Sequence, residues 1–270
     1  MTRSGGVSSV GQAADAAGAA LAAAGCVPEQ VDALINVGIY RDANLVEPAV
    51  AALIQQAAGI GLDYRRGDVP CLSFDLMNGA CGVVNAVGVA ASLLADLPVG
   101  HVVVVSGDAG SGEVEFEPVG AAFVLENCAD AVGFGGVHVS AGDALPDSQG
   151  VTGASGHSSL TVEMRAGTAE LVEHAAAAAR EALAADGIDA SSVVLLCGKP
   201  TSDFAGELAA ELGVGALVTD DFAADAHTSA LTAAFVSARD AGLIDRPLLF
   251  VAADGGPTAA AVTYRGVGVR

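Results

Sequence analysis

The chain has 270 residues, 52% of them hydrophobic and 35 of them glycine, so it can bury a sizeable core as one large domain or as two smaller units. Its 32 acidic and 11 basic residues give a net charge of −21. This charge repels nucleic acid and anionic membrane surfaces and leaves no basic stripe for phosphates. We therefore expect neither nucleic acid nor a membrane as a partner.

The N-terminal segment and the cysteines both predict a soluble, cytoplasmic protein. Residues 1–10 lack the apolar segment of a signal peptide, and the longest apolar stretches stay below the roughly 18 residues of a membrane span. The five cysteines, at positions 26, 71, 81, 128 and 197, form no Cys-x-x-Cys pair. An odd count without a signal sequence favours reduced thiols over a disulfide framework.

Hydrophobic periodicity predicts alternating helices and strands along the first half of the chain. Helices are predicted over 11–24, 47–58 and from Cys81 onward, and strands over 31–37, 71–76, 101–106 and 121–125. The first half would therefore end in two consecutive strands.

The second half repeats this order almost element for element. Strands are predicted over 133–139, 193–197, 216–219, 248–252 and 259–264, and helices over 168–185, 203–212 and 229–241. Alternating strands and helices demand a parallel-rich sheet with helices on its faces, and the repetition predicts two such sheets packed through shared helices. We divide the chain into an N-terminal half, 1–130, and a C-terminal half, 131–270.

Four short segments narrow this duplicated order to one family. They are Ser73–Gly82 at a strand-to-helix turn, Val119–Glu126 with its Val-Leu-Glu run, Ala226–Ala230 (Ala-His-Thr-Ser-Ala) and the glycine-containing turn Asp254–Thr258. Together they resemble the β-ketoacyl-acyl-carrier-protein synthase III branch of the thiolase fold, over roughly residues 11–265. The resemblance implies an α/β fold of duplicated, thiolase-like halves in α-β-α-β-α layers, with four strands in the first sheet and five in the second.

The family also has a further strand at its start, for which this sequence shows no counterpart. The first half is then one strand short, which leaves backbone groups unpaired unless a neighbouring element or a partner chain covers them.

Cys81 is the candidate nucleophile. At a helix start, backbone N–H groups and the helix dipole favour the thiolate that attacks an acyl thioester. The alternative is a small buried hydrophobic residue, the commonest fate of a free cysteine. When the segment is aligned with the family's motif without a gap, the nucleophile falls on Ala80. Cys81 can therefore be the nucleophile only if the turn is one residue longer in this chain. The other four cysteines are predicted to be structural.

His227 is the candidate base. The family binds the thioester carbonyl with a histidine and an asparagine, and this sequence has Gly198 in place of the first and His227 in place of the second. A lone loop histidine is often only a solvated or capping residue, but its position beside the motif predicts a Cys81–His227 pair.

Three further site predictions concern glycine turns and metals. The resemblance implies that backbone N–H groups at Gly255 and Gly256 contribute to an oxyanion hole, although a tight hairpin would also explain two glycines. The glycine-rich stretch 107–112 lacks the lysine of a phosphate loop. No histidine has metal-ligand spacing with a second histidine or cysteine, so no metal site is expected.

The resemblance implies an acyltransferase or condensing enzyme that carries an acyl group on Cys81 as a thioester, donated by acyl-CoA or an acyl carrier protein. Coenzyme A or phosphopantetheine would enter as part of the substrate, with no separate cofactor. Arg65, Arg66 and Lys199 are the basic residues placed near the presumed entrance.

Two other interpretations stay open. One is a non-catalytic partner subunit of a heteromeric ketosynthase or acyltransferase complex, which Gly198 and the displaced cysteine favour. The other is a plain α/β binding module. In each thiolase-like interpretation, the strand at 72–76 is expected to pair with its symmetry mate in a homodimer, or with a related chain in a heterodimer.

Overall fold

The computed structural model describes residues 8–42, 48–62, 70–109, 117–128, 132–142, 148–152, 158–162, 167–254 and 258–266. The elements of the first half are α1 (Ser9–Ala24), β1 (Ala33–Asn36), α2 (Val50–Ala58), β2 (Leu72–Asp75), α3 (Gly82–Asp96), β3 (His101–Gly107) and β4 (Gly120–Glu126). Each of them falls on or within three residues of a segment predicted from periodicity.

The second half begins with four short strands and then repeats the order of the first. Its elements are β5 (Gly133–Phe134), β6 (His138–Ala141), β7 (Ser148–Thr152), β8 (Ser158–Val162), α4 (Thr168–Asp186), β9 (Val194–Cys197), α5 (Phe204–Leu212), β10 (Ala216–Val218), α6 (Ala230–Asp240), β11 (Leu248–Asp254) and β12 (Thr258–Arg265). Short 3₁₀ turns lie at Pro28–Gln30, Ala190–Ser192 and His227–Ser229.

Local chemistry explains where α1 starts and stops. The Ser8 hydroxyl accepts a hydrogen bond from the Gly11 N–H at 2.9 Å, which satisfies one of the free N–H groups of the first turn. Gly25 has a φ of 67°, and its N–H returns to carbonyl groups of the last turn. Only glycine adopts this left-handed backbone without steric cost, so the helix ends there.

The first sheet has the order β2-β1-β3-β4, with β1 parallel to both of its neighbours and β4 antiparallel to β3. The second has the order β10-β9-β11-β12, with β5 and β6 both paired to the outer side of β12. Among the described residues the first sheet has four strands, as predicted.

The second sheet departs from its prediction, because segment 133–139 forms two strands instead of one. Between them the Gly135 N–H donates to the Thr263 carbonyl at 3.0 Å, and a Cβ at Gly135 would overlap the Asp186 carboxylate. This close approach bends the chain and interrupts the strand. The antiparallel hairpin of β7 and β8 was not predicted either.

Side chains alternate across both sheets, so each sheet is buried on two faces. Leu34 packs with α1 and α2, whereas its neighbour Ile35 packs with α3. Leu195 packs with α4 and α5, whereas Leu196 packs with α3 and α6. Helices α3 and α6 therefore form a middle layer between the sheets, and the predicted α-β-α-β-α arrangement is confirmed.

One stretch among the described residues, Gly79–Asp96, is long and apolar enough to cross a membrane by length and composition. It coincides with α3, whose Val84, Val87 and Ala90 are buried in the middle layer. A buried core helix can have the same length and apolar composition as a membrane-spanning helix, so the stretch is weak support for a membrane span. The predicted boundary between residues 130 and 131 lies outside the described residues.

Strand β2 lies at an edge of the first sheet, where the sequence predicts an intermolecular contact. Leu72 and Leu76 donate their N–H groups towards β1, to the carbonyls of Asp32 and Asn36, so the N–H of the intervening Ser73 points away from the sheet. We expect a dimer by light scattering, reduced to the 26.3 kDa chain in Ser73→Pro and retained in Ser73→Ala. A monomeric wild-type chain at micromolar concentration would contradict this expectation.

Candidate active site

The candidate site lies where the carboxyl ends of three strands, β3, β9 and β11, meet the first residues of the middle-layer helices. Asp108 follows β3, Lys199 follows β9, and Asp254 ends β11. Cys81 immediately precedes α3, and His227 opens the 3₁₀ turn before α6. Open α/β sheets bind their ligands at such strand ends, so the fold brings both predicted site residues to a place suited to chemistry.

His227 is buried, with 7% of its surface exposed, and lies between two carboxylates. Its Nδ1 is 3.0 Å from Asp108 Oδ2, and its Nε2 is 3.5 Å from Asp254 Oδ2. The Tyr40 ring meets it edge-on, with centroids 5.3 Å apart. Its φ of 46° is the left-handed value that non-glycine residues rarely adopt, and such strain is typical of functional positions.

Asp108 holds the turn that carries His227. It is 2% exposed, and its Oδ1 accepts the N–H groups of Ile39 and Tyr40 at 2.8 and 2.9 Å. Its Oδ2 accepts the Thr228 hydroxyl at 2.5 Å and the Thr228 N–H at 3.3 Å, as well as the His227 ring. One buried carboxylate thus joins a loop of the first half to a turn of the second.

These contacts fix the charges of the pair. Burial disfavours an imidazolium, but hydrogen bonds and charges from Asp108 and Asp254 outweigh it and raise the pKa of His227 to about 10. Burial likewise opposes the Asp108 carboxylate, yet its bonds to His227, Thr228 and Tyr40 hold its pKa below the ordinary value. At neutral pH the site contains an imidazolium, which donates hydrogen bonds and does not accept a proton.

Asp254 connects this cluster to the start of α3. Its Oδ2 accepts the Ala80 N–H at 2.8 Å and faces His227. Gly79 has a φ of 52°, and a Cβ there would overlap the Asp254 carboxylate. The turn therefore requires glycine at 79, and it places the N–H of Ala80, a residue with no reactive side chain, against the Asp254 carboxylate.

The thiol of Cys81 points the other way, into the protein. Cys81 is fully buried at 0% exposure, and its Sγ lies 3.7 Å from the carbonyl oxygens of Ala252 and Thr258. Burial first, and then the charge of Asp254, raise its pKa to about 12. These contacts do not favour the predicted Cys81–His227 pair, because carbonyls engage the thiol while carboxylates engage both ring nitrogens of His227.

The other predicted residues have clear positions or lie outside the described part. A Cβ at Gly198 would be only 3.2 Å from the Ala230 Cβ. The Lys199 ammonium is held by Asp220 Oδ1 at 2.7 Å and the Phe222 carbonyl at 2.7 Å, which ties the loop after β9 to the loop after β10. The described residues do not include Gly255, Gly256, Arg65 or Arg66.

Among the residues that are described, no group of three or more His, Cys, Asp or Glu side chains could hold a metal ion.

An apolar cavity of about 160 Å³ begins beside α3. Val83, Val84 and Phe123 line one side, and Phe235 and Phe250 line the other. Val83 is two residues beyond Cys81 on α3, although neither Cys81 nor His227 lines the cavity. An apolar space of this size accommodates a ligand of about six carbon atoms.

Sequence reasoning missed Asp108, Asp254 and Tyr40 as members of the site. Asp108 lies in the glycine-rich stretch that was rejected as a phosphate loop, and Asp254 lies in the turn singled out for its glycines. Both follow a buried strand at once, and an acidic residue at the carboxyl end of a parallel strand is the signal that could have found them.

Known proteins share this architecture at low sequence identity. Neither a protein-family model nor a curated protein matches the chain. Among solved structures, 3-oxoacyl-(acyl carrier protein) synthase III, FabH, from Pseudomonas aeruginosa PAO1 matches with a TM-score of 0.78 and 21% identity, over 97% of this chain and 84% of that chain.

Two other matches have different names. The tetronic acid condensing enzyme AbyA1 has a TM-score of 0.76 and 21% identity over 95% of this chain and 87% of its own. Xanthomonas campestris OleA with bound lauric acid and lauroyl-CoA has a TM-score of 0.72 and 16% identity over 96% and 83%. At these identities the likeness shows the fold, and the predicted thiolase-type architecture of synthase III is confirmed.

Proposed function

From the premise that the chain has the fold of synthase III, we propose that it binds an acyl thioester without forming a cysteine-linked intermediate of its own. It would act as a partner subunit in a heteromeric condensing or acyl-transfer complex. The donor would be a short-chain acyl-CoA or a small related thioester.

The observation that carries this proposal is the geometry of the turn before α3. Covalent catalysis needs a thiolate that is exposed to the substrate. Ala80, where the family's nucleophile falls, has no reactive side chain and donates its N–H to Asp254 Oδ2, whereas the Cys81 thiol is buried among backbone carbonyls with a pKa of about 12. At neutral pH a thiol with that pKa is almost entirely protonated.

The His227 imidazolium supports a binding role over a role in proton abstraction. Asp108 holds Nδ1 at 3.0 Å, whereas Nε2 is 3.5 Å from Asp254 Oδ2, so the Nε2–H would turn from this longer contact to donate to the carbonyl oxygen of a bound thioester. It cannot take a proton from an acceptor until its pKa of about 10 is lowered. The predicted role of His227 as the base is therefore less well supported than a role as a donor.

The class of ligand is supported by the fold and by the cavity. The compared structures include enzymes whose names refer to acyl carrier protein and one with lauroyl-CoA bound. The cavity beside Val83 is lined almost wholly by apolar side chains, and its volume of about 160 Å³ suits a short acyl group better than a long one.

The acyltransferase acting through Cys81 is the second candidate. It is favoured by one observation, that Cys81 occupies the N-cap position of α3, where the N–H groups of the first turn are available. Reaction there would require the thiol to leave its contacts with the carbonyls of Ala252 and Thr258.

Intact mass after incubation with butyryl-CoA separates the two candidates. We expect no adduct on the wild-type chain and one butyryl group on Ala80→Cys, because the substitution puts a thiol where the family's nucleophile falls, at the residue whose N–H contacts Asp254. Ala80→Ser is the control for the substitution itself. A butyryl adduct on the wild type that is lost in Cys81→Ala would establish the second candidate, and an unmodified Ala80→Cys would count against acyl-thioester binding.

Alkylation of the free thiols provides an independent test. Cys128 is exposed, whereas Cys26, Cys71, Cys81 and Cys197 are buried, so we expect iodoacetamide at pH 7 to modify Cys128 first. Cys81 should react more slowly by a factor of at least about 100, since its pKa is raised by about three units and its reactive species is the thiolate. Peptide mapping that finds Cys81 modified first would support the second candidate.

A further inference from the structure

Strand β4 has one unpaired edge. The N–H groups of Asp32 and Val37 donate to the carbonyls of His101 and Val105, so the odd-numbered residues of β3 face β1 and the even-numbered ones face β4. Their partners Ala121 and Phe123 face back towards β3. The backbone groups of Ala122 and Val124 therefore point outward, and within the described part of the chain no strand pairs with them.

The second half of the same chain shows what covers this position. Strand β12 is the counterpart of β4, because each is the last strand of its half and runs antiparallel to the strand before it. The outer edge of β12 is covered by β5 and β6, both antiparallel to it. By this internal repeat, the edge of β4 is built to take one more antiparallel strand.

The open edge lies at the bottom of a groove between α1 and α6, with a volume of about 790 Å³. Small side chains form the α1 wall, among them Ala16, Ala19 and Ala20. Phe235 and Val236 lie on the α6 wall, and Val236 is solvent-exposed. The alanines leave room for larger apolar side chains to enter from outside, while the strand edge offers backbone hydrogen bonds.

We propose that an extended segment of a different polypeptide adds to β4 as an antiparallel strand. The occupant would alternate apolar with polar residues, so that one face packs on the groove. It would also carry net positive charge, because Asp221 lies on the rim, Arg239 is already paired with Asp240, and the chain has a net charge of −21.

The shape and composition exclude two other occupants. The β4 edge of a second folded copy would itself lie recessed between its own helices, so two such edges could not meet. Residues 1–7 of this chain have apolar side chains only at Met1 and Val7, so they lack the alternating apolar residues that would fill the groove. The inference depends on the open edge alone and is independent of the proposed function.

Hydrogen exchange of the full chain tests this strand addition. The probe is the peptide Lys-Val-Thr-Val-Thr-Val-Lys, used in two forms. One is a free synthetic peptide, acetylated and amidated, at 1 mM. The other is joined to the N-terminus of the chain through a flexible glycine-serine linker, which gives a millimolar effective concentration. We expect exchange at residues 120–126 to slow at least fivefold, with no change at residues 101–107.

Substitutions in the groove and beside it test whether the protection arises from strand addition to β4. Ala19→Phe fills the groove and Ala122→Pro removes an outward N–H, so both should abolish the protection. Ala22→Phe should keep it, because Ala22 is an equally exposed residue of α1 that does not line the groove. Absence of protection with both forms of the probe overturns the proposal. Strong protection of the outward amides without any probe also overturns it, because the chain would then cover the edge itself.

Discussion

Replacing Asp108 with alanine is expected to lower the free energy of unfolding by about 3–5 kcal/mol, the cost of removing one partner of a buried ion pair. The substitution leaves the His227 imidazolium without its closest carboxylate. It also leaves the N–H groups of Ile39 and Tyr40 and the hydroxyl of Thr228 without their acceptor. Urea denaturation at pH 7 measures the loss.

Two variants control this experiment. Asp15→Ala removes an exposed carboxylate of α1, where the expected change is within about 0.5 kcal/mol. Asp108→Asn keeps the shape and one acceptor oxygen, so its loss should fall between the other two. A loss below about 1 kcal/mol for Asp108→Ala would contradict the buried ion pair.

Raising the pH above neutrality is expected to destabilise the wild-type chain through His227. Its pKa is about 10 in the folded protein against the ordinary 6.5, so the folded state holds the proton more tightly than the unfolded state. The resulting stabilisation is complete below pH 6.5, decreases between pH 6.5 and 10, and is lost above pH 10. The difference between these two pKa values, about 3.5, corresponds to roughly 5 kcal/mol.

Denaturation curves of the wild type and His227→Gln at pH 7 and pH 10.5 isolate this contribution from other groups that titrate. The difference in stability between the two proteins should shrink markedly at the higher pH. In His101→Gln, which alters a partly exposed histidine, the difference from the wild type should vary far less. If the gap for His227→Gln is the same at both pH values, the histidine is not protonated at pH 7.

Most helices and strands could be predicted from the sequence, because their buried residues recur with the period of the element. Strand β1 is buried throughout, and α4 carries a continuous buried face from Leu171 to Leu183, so both are plain in the pattern of apolar residues. The break between β5 and β6 was not predictable. It results from the approach of Gly135 to Asp186 and Thr263, which are distant in sequence.

The site was predictable in its location and less so in its chemistry. Cys81 was predicted to begin a helix and His227 to lie in a loop before one; the structure has Cys81 at the N-cap of α3 and His227 in the 3₁₀ turn before α6. The direction of the Cys81 thiol depends on a rotation of about 100° per residue at the start of a helix, which an ambiguity of one residue leaves open. The charge of His227 depends on Asp108 and Asp254, 119 and 27 positions away, and their approach is a product of the tertiary fold.

The middle layer has a consequence for how the molecule unfolds. Helices α3 and α6 come from different halves, yet they belong to one continuous core with residues of both sheets, and the Ser106 and Ser229 hydroxyls meet at 2.7 Å across the same boundary. Neither half could be excised without exposing that core to water. Although the topology of the chain is duplicated, the two halves should therefore unfold together in a single cooperative transition.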